Sequence, residues 1–547
     1  MDRARVPRML ARGFVVLCLA SGSVHAQPQE PEPPKEPESP PPSGGELGGS
    51  PFDDKQPAPT PSQPTTPIAV DPPPATEPTP PPEPFVKGPP DTTPYAIDED
   101  RPPSAPDDRG FRFGSYGRVL AGTDLRGGKP EAANVVAHGP RIVEPSYLEL
   151  DFSYGFDTPS GKRLRPVITL AFDGTLFHDT GDFDAQPALR NLFLEAQLTR
   201  ELTGWVGSRM YRGDDIYLFD YWPLDDQNTV GGGVIFRKHE TENYGGNVLE
   251  VAAHAGVNRL DNPFQFQEIE VADPEQGATT VEQLNRQRLI ASTTASYTMD
   301  NGIADPNFKF KLHGELHALP SGTRKIGTDG TLEDLPSDRG YLFGVQATTF
   351  GFAPSRYGFR RHLNLYFRYA KGLAAFDELA QPTSFGPELK TSRASELTFG
   401  ASGNFDHALG NVMLGALSRR FVDADTTAVD HDDGWEYAVA LRPLAKLGGD
   451  VFAGGELSYQ ARFPRGLNAV TQRAEDPSVL QIAPMLVYSP MGPSAYDRPQ
   501  IRVVYRAARL NDGARDLYVP DDPRRANTWV HFLGFQAEWW FNSSTYR

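Results

Sequence analysis

Between residues 111 and 547, apolar and polar side chains alternate over segments of about ten residues. From Tyr147 to Phe156, Leu148, Leu150, Phe152, Tyr154 and Phe156 fall on one face. Tyr147, Glu149, Asp151 and Ser153 fall on the other. In the same way Phe308, Phe310, Leu312 and Leu316 oppose Lys309, Lys311, His313, Glu315 and His317. A period of two is that of a half-buried strand. Such segments start near residues 111, 146, 164, 191, 203, 229, 246, 288, 308, 340, 361, 394, 408, 434, 450, 479, 498 and 528, which predicts about eighteen strands. The polar stretches 257–287, 319–339 and 508–527 read as long loops, and short breaks bearing Gly or Pro read as turns.

A soluble sandwich and a membrane barrel both alternate, but with opposite surroundings. In the barrel the apolar face meets lipid and the polar face lines a lumen. Segment length favours the barrel, because a tilted strand of about ten residues crosses a bilayer. Aromatic residues near the segment ends suit the two membrane interfaces. A sheet in hydrocarbon must also close, since an open edge would leave backbone groups unpaired. The last segment fits this reading. Leu533, Phe535, Ala537, Trp539 and Phe541 face one way, and Phe532, Gly534, Gln536, Glu538 and Trp540 the other. Six residues, Asn542 to Arg547, follow that aromatic strand. The expected fold is therefore all-β, a transmembrane antiparallel barrel.

The start of the chain supplies the export signal a barrel needs. Arg3, Arg5, Arg8 and Arg12 precede an apolar run from Gly13 to Ala20, and Val24 and Ala26 are small residues at a cleavage position. Residues 1–26 thus read as a secretory signal peptide, too short to span a bilayer. The single Cys, Cys18, lies in it behind Leu17, which does not suit lipoprotein processing. Residues 27–110 differ again: 28 of them are Pro and 16 are Asp or Glu. Such a segment buries too little apolar area to offset its ordering entropy, so it reads as a disordered, partly polyproline-II tether on the periplasmic side. Its bland role is a spacer and its sharper one is contact with the cell wall. Residues 111–547 form the barrel domain, and they hold 54 of the 58 aromatic residues.

A net charge of −18 argues against a nucleic-acid partner. No hydrolase elbow, zinc-protease helix or phosphate loop occurs. His313 and His317 share a face, which lumen polarity explains. Asp423, Asp425, Asp430, Asp432 and Asp433 offer oxygen ligands for calcium, but their spacing fits no defined site, and a solvated loop explains them as well. No cofactor or metal is expected.

Five ordered stretches resemble the maltoporin-like sugar porins. They are GSYGR from Gly114 to Arg118, YLEL from Tyr147 to Leu150, WVGSRMYRGDDIYLFDYW from Trp205 to Trp222, RPQIRV from Arg498 to Val503, and GFQAEWWF from Gly534 to Phe541. The resemblance implies an eighteen-stranded trimeric outer-membrane porin for oligosaccharides, with the third loop turned inward. It implies an aromatic slide of Tyr116, Tyr147, Tyr496 and Trp540, where Tyr496 stands in place of the family's Trp. Trp222 falls at the constriction, where the family has Tyr. Arg118, Arg141, Glu149, Arg190, Asp215 and Asp220 match its polar track. Gly213 replaces a family Arg, with Arg212 one place earlier. Phe359 and Phe183 lie near two further slide positions, the second of which is contributed by a neighbouring subunit in the family.

The chemistry of such a slide can be stated on its own terms. Aromatic rings bind the C–H faces of a sugar, and flanking charges exchange hydrogen bonds with its hydroxyls. Each step must bind weakly for flux to continue. The expected function is passive diffusion of maltose- or maltodextrin-like saccharides across the outer membrane. The alternatives are a general or other solute-selective diffusion porin, a barrel enzyme, and a structural envelope tether.

Overall fold

The computed structural model describes residues 109–547 except 178–183, 241–245, 259–265, 274–276, 285, 302–305, 327–330, 353–360, 377–381, 383, 426–430, 432, 469–470, 495–496 and 543–547. Eighteen strands form one antiparallel sheet. In chain order they begin β1 (Gly110–Thr123), β2 (Tyr147–Asp157), β3 (Arg163–Thr175), β4 (Asp184–Gln197), β5 (Leu202–Arg212), β6 (Asp226–His239) and β7 (Val248–Asn258). Two hairpins outside the wall come next, β8 (Phe266–Asp273) with β9 (Gly277–Leu284) and, after two wall strands, β12 (Gly322–Ile326) with β13 (Thr331–Leu335). The remaining wall strands are β10 (Arg288–Met299), β11 (Asn307–Leu319), β14 (Asp338–Phe350), β15 (His362–Gly372), β16 (Ser395–His407), β17 (Gly410–Val422), β18 (Gly434–Gly448), β19 (Val451–Pro464), β20 (Ser478–Tyr488), β21 (Gln500–Leu510) and β22 (Trp529–Phe541). Each wall strand pairs with the next wall strand along the chain, and β1 pairs with β22, so no edge is left open.

Connections alternate in length. Residues 124–146, 213–225, 320–337 and 511–528 are long, while 158–162, 198–201, 408–409 and 449–450 are tight. All long loops emerge at one end, and the first and last strands begin and end at the tight-turn end. Two of the stretches expected as loops carry the hairpins β8–β9 and β12–β13, and the third carries two short helices, α1 (Asp512–Arg515) and α2 (Pro523–Ala526).

The alternation of the sequence maps onto the two faces. On β11 the apolar Phe308, Phe310, Leu312 and Leu316 are exposed on the outer surface. Lys311, His313, Glu315 and His317 are buried on the inner one. Strand starts fall within three residues of expectation except for β4, which starts at Asp184 rather than near 191. There the pairing of β3 with β4 slips: Thr169 faces Asn191 while Leu170 faces Leu189, which leaves Arg190 as an extra residue. A bulge of this kind bends the strand and re-aims side chains. Arg190 and Asn191 both reach inward partners, so alternation fails where the sequence pattern would have had to continue.

The inner face is not a uniformly polar tube. On β17 to β22 it presents Met413, Leu417, Ala438, Ala440, Ala483, Met485, Val504 and Phe532, all buried. They pack against Ile216, Leu218 and Phe219 of the third long loop, which folds into the barrel. Glycines let it come close. A Cβ on Gly344 would lie 2.2 Å from Leu224, and one on Gly415 would lie 3.3 Å from both Ile216 and Leu218. The first long loop, 124–146, also lies inside. Gln460 on β19 donates to the Ala133 carbonyl and accepts from Val135 N–H, both at 2.9 Å, and Arg141 N–H donates to the Leu218 carbonyl at 3.1 Å.

Candidate functional site

Two neighbouring strands set the centre of the site. Inward positions of β1 carry Tyr116 and Arg118, and those of β2 carry Tyr147 and Glu149. The Tyr116 and Tyr147 rings lie 5.9 Å apart, centroid to centroid. Arg118 and Arg190 hold their guanidinium carbons 5.4 Å and 5.8 Å from the centre of the Tyr147 ring. The Tyr147 hydroxyl donates to Glu149 Oε1 at 2.6 Å, and Arg190 hydrogen-bonds both Tyr147 and Glu149. Glu149 is buried, and Arg190 is its ion-pair partner. The bulge at Arg190 is what turns its side chain to them.

The first and third loops complete the track. Arg141 pairs with Glu144 at 2.8 Å and Asp220 at 3.3 Å, and Arg118 pairs with Glu144 at 3.1 Å and Asp220 at 3.6 Å. Asp220 ends a 3-10 turn, Tyr217–Phe219, in the left-handed conformation (φ 52°, ψ 44°), which Asp tolerates better than most residues. These two carboxyls titrate in opposite directions. Burial raises Glu144 above its ordinary range despite Arg141 and Arg118. Burial would also raise Asp220, but Arg141, Arg118 and Arg212 outweigh it and hold that carboxyl low. Tyr217 anchors the far side. Its hydroxyl meets Arg498 and donates to Glu538 at 3.3 Å, and Arg141 and Arg498 each stand 5.1 Å from its ring centre.

The expected residues distribute as follows. Tyr116, Tyr147, Arg118, Arg141, Glu149, Arg190 and Asp220 come together in this one track. Trp540 stands opposite Tyr116 in the β1–β22 register and packs against the apolar cluster under the third loop. Trp222 is buried, with the Arg212 guanidinium 3.7 Å from its ring centre, and Arg212 in turn bonds Asp226 at 2.8 Å. Asp215 is buried at the loop's stem, where its carbonyl accepts from the Tyr366 hydroxyl at 3.2 Å. Its neighbour Asp214 takes Lys309 at 2.8 Å and Gln346 at 2.6 Å. Gly213 has a steric reason: a Cβ there would lie 1.8 Å from the Asp225 carboxylate that Lys311 holds. Tyr496, Phe183 and Phe359 lie outside the described residues.

Three participants were not singled out from sequence. Glu144 and Tyr217 carry no periodic signal, because they sit on loops. Glu538 was legible only as one inward residue among many. Elsewhere on the wall, Glu315 accepts from His313 at 2.7 Å and from His317 at 2.8 Å. Among the described residues no group of three or more His, Cys, Asp or Glu is arranged to hold a metal ion. In the acidic loop, Asp433 accepts from Asp423 N–H at 2.6 Å, while Asp430 and Asp432 lie outside the described residues.

A closed antiparallel barrel of eighteen strands, apolar outside and lined within by tyrosines between guanidiniums and carboxylates, is the construction of a porin-type channel of the bacterial outer membrane. The LamB porin family matches residues 111–541, and the chain belongs to that family. It is a channel, not an enzyme. No curated protein matches the chain. Among solved structures, OccAB1 of Acinetobacter baumannii is similar at 12% identity over 81% of this chain and 99% of its own, with a TM-score of 0.39. OccD3 of Pseudomonas aeruginosa is similar at 9% identity over 79% and 91%, also at 0.39. OprB of Pseudomonas putida is similar at 10% identity over 79% and 95%, at 0.31. The family assignment rests on the family match and on none of these.

Proposed function

We propose that this porin passes carbohydrates, of the maltose and maltodextrin type, down their concentration gradient. The observation that carries the reading is the Tyr116–Tyr147 pair, 5.9 Å apart and flanked by Arg118 and Arg190. Two tilted rings give the C–H face of a pyranose a surface with no single required pose. The guanidiniums and the Glu144 and Asp220 carboxylates offer donors and acceptors to the hydroxyl rim. Trp540, and Tyr496 beyond the described residues, would extend the aromatic surface. The working form is a homotrimer in outer-membrane lipid, and residues 27–110 are a periplasmic tether behind a cleaved signal peptide.

The test is a planar bilayer recording with maltodextrins added at millimolar concentration. The expected outcome is a saturable block of current that strengthens with chain length. Current unchanged by sugar leaves a general diffusion porin. Removing residues 27–108, which stops short of β1 at Gly110, leaves conductance intact if the segment lies outside the barrel.

A further inference from the structure

Arg419 and Arg420 are consecutive on β17 and face opposite sides of the wall. Arg419 turns inward and holds Glu396 at 2.7 Å and Glu436 at 3.2 Å. Arg420 turns outward, level with Trp435 in the β17–β18 register. The outward series of β15 ends in Lys371 and that of β14 in Arg339, both at the long-loop end of the barrel. Arg393 stands just before β16, and its carbonyl accepts from Lys371 Nζ at 3.0 Å. Arg339 and Arg393 are exposed, and Lys371 and Arg420 half-buried. Among the described residues no carboxylate comes within ion-pair distance of any of these four outer cations. The outward positions of β14 to β17 carry no Asp or Glu at all. On the inner face of the same strands the arginines are matched, since Arg368 also has Glu396, at 3.2 Å.

The outer wall grades toward these cations. Phe343, Leu365 and Phe399 are exposed apolar residues lower on the same face. Above them the Tyr341 and Tyr369 rings lie 6.3 Å apart, and Lys371 is the register partner of Tyr341. Hydrocarbon, then amphipathic rings, then charge is the profile of a wall leaving the bilayer at its headgroups. The long-loop end of an outer-membrane barrel is the extracellular one, so these headgroups belong to the outer leaflet. The cations are also local. At the same end of β1, β2, β3, β7, β10 and β11 the outward residues are Ala121, Leu148, Phe172, Val257, Leu289 and Leu316. We propose that the outer face of β14–β17 binds a phosphate-bearing glycolipid of the outer leaflet. Arg339, Lys371, Arg393 and Arg420 take its phosphates, and the apolar wall below takes its acyl chains. Guanidiniums bind phosphate with paired, charge-assisted hydrogen bonds. A cluster of cations at headgroup level with no acid beside it favours an anionic lipid over a neutral one. Lys371 and Arg420 are two strands apart, roughly 10 Å along the wall, so two phosphates on one disaccharide headgroup suit them.

The full-length protein in detergent, titrated with bisphosphorylated lipid A while Tm is followed, tests this. Tm is expected to rise and saturate, as binding to the folded state requires. In the triple variant Arg339→Gln, Lys371→Gln, Arg420→Gln the lipid concentration at half-rise should increase roughly tenfold or more. Lys238→Gln removes an outward cation of β6 at the opposite end and should respond like wild type. No rise, or an equal rise in wild type and the triple variant, overturns the proposal. Two further arms need no variant. Dephosphorylated lipid A and phosphatidylglycerol should each act on wild type more weakly than the bisphosphorylated glycolipid. A match by the first would assign the effect to acyl chains, and a match by the second to any anionic lipid, and either overturns the proposal. Sodium phosphate at the same concentration should leave Tm unchanged, and an equal rise with it would make the ligand a free anion and overturn the lipid assignment.

Discussion

The Arg212 guanidinium lies 3.7 Å over the ring of Trp222 and is held there by Asp226 at 2.8 Å. Trp222, the aromatic residue expected at the constriction, therefore carries a cation on its face. The expected consequence is that Arg212→Ala uncovers the ring. An added aromatic contact of about 0.5–1.5 kcal/mol strengthens sugar block roughly two- to tenfold. Current-block titrations measure it, and Trp222→Ala in the same background should cancel the gain. Weaker block in Arg212→Ala would mean that the guanidinium itself meets the sugar.

Trp540→Ala should weaken block by a similar factor while leaving open-channel current in place, because Trp540 stands beside Tyr116 and only part of its ring is buried. If block is untouched, that ring does not touch the sugar.

Arg190 is the partner of a buried carboxylate. Removing one member of a buried pair typically costs about 3–5 kcal/mol. Arg190→Leu is expected to lower thermal stability and to free the Tyr147 ring, and Arg190→Leu with Glu149→Gln should recover part of the loss. Equal stability of the two variants would show that Glu149 does not depend on Arg190.

The third loop is fastened at its stem by Asp214. Burial would raise this carboxyl, but Lys309 and Lys311 outweigh it and hold it below its ordinary range. Its contribution is therefore present in full above the unfolded carboxyl value of about 3.9, and is lost only as pH falls through the lower, folded value. Heat unfolding of wild type against Asp214→Asn should differ at every pH from 7 down to about 4 and converge in stronger acid. Convergence already above pH 5 would contradict the assigned ion pair.

Most of the wall was legible because lipid outside and a polar lumen inside impose a period of two. Phe308 to His317 is an example, with its two faces sorted residue by residue. Alternation says nothing where its physical cause is missing. Arg190 lies at a bulge, so its inward aim contradicts its parity with the outward Leu192 and Leu194. Ala438, Ala440 and Met485 are apolar yet inward, because two loops cover them. Contacts such as Arg141 with Asp220, or Gln460 with the first loop, join residues far apart in the chain and leave no local signature. The family resemblance named Arg141 and Asp220, but not Glu144 or Tyr217 between them.

The barrel's seam runs through the track of tyrosines and guanidiniums. Tyr116 is near the beginning of the described chain and Trp540 near its end, and they become neighbours only when β1 meets β22. Arg118 and Glu538 face each other across the same junction. A barrel with only seventeen of its eighteen strand pairings made, this one missing, would leave its wall open and keep Tyr116 apart from Trp540. If the channel passes sugars as proposed, saturable sugar block is a direct assay of ring closure, and a refolding or assembly reaction can be followed by it.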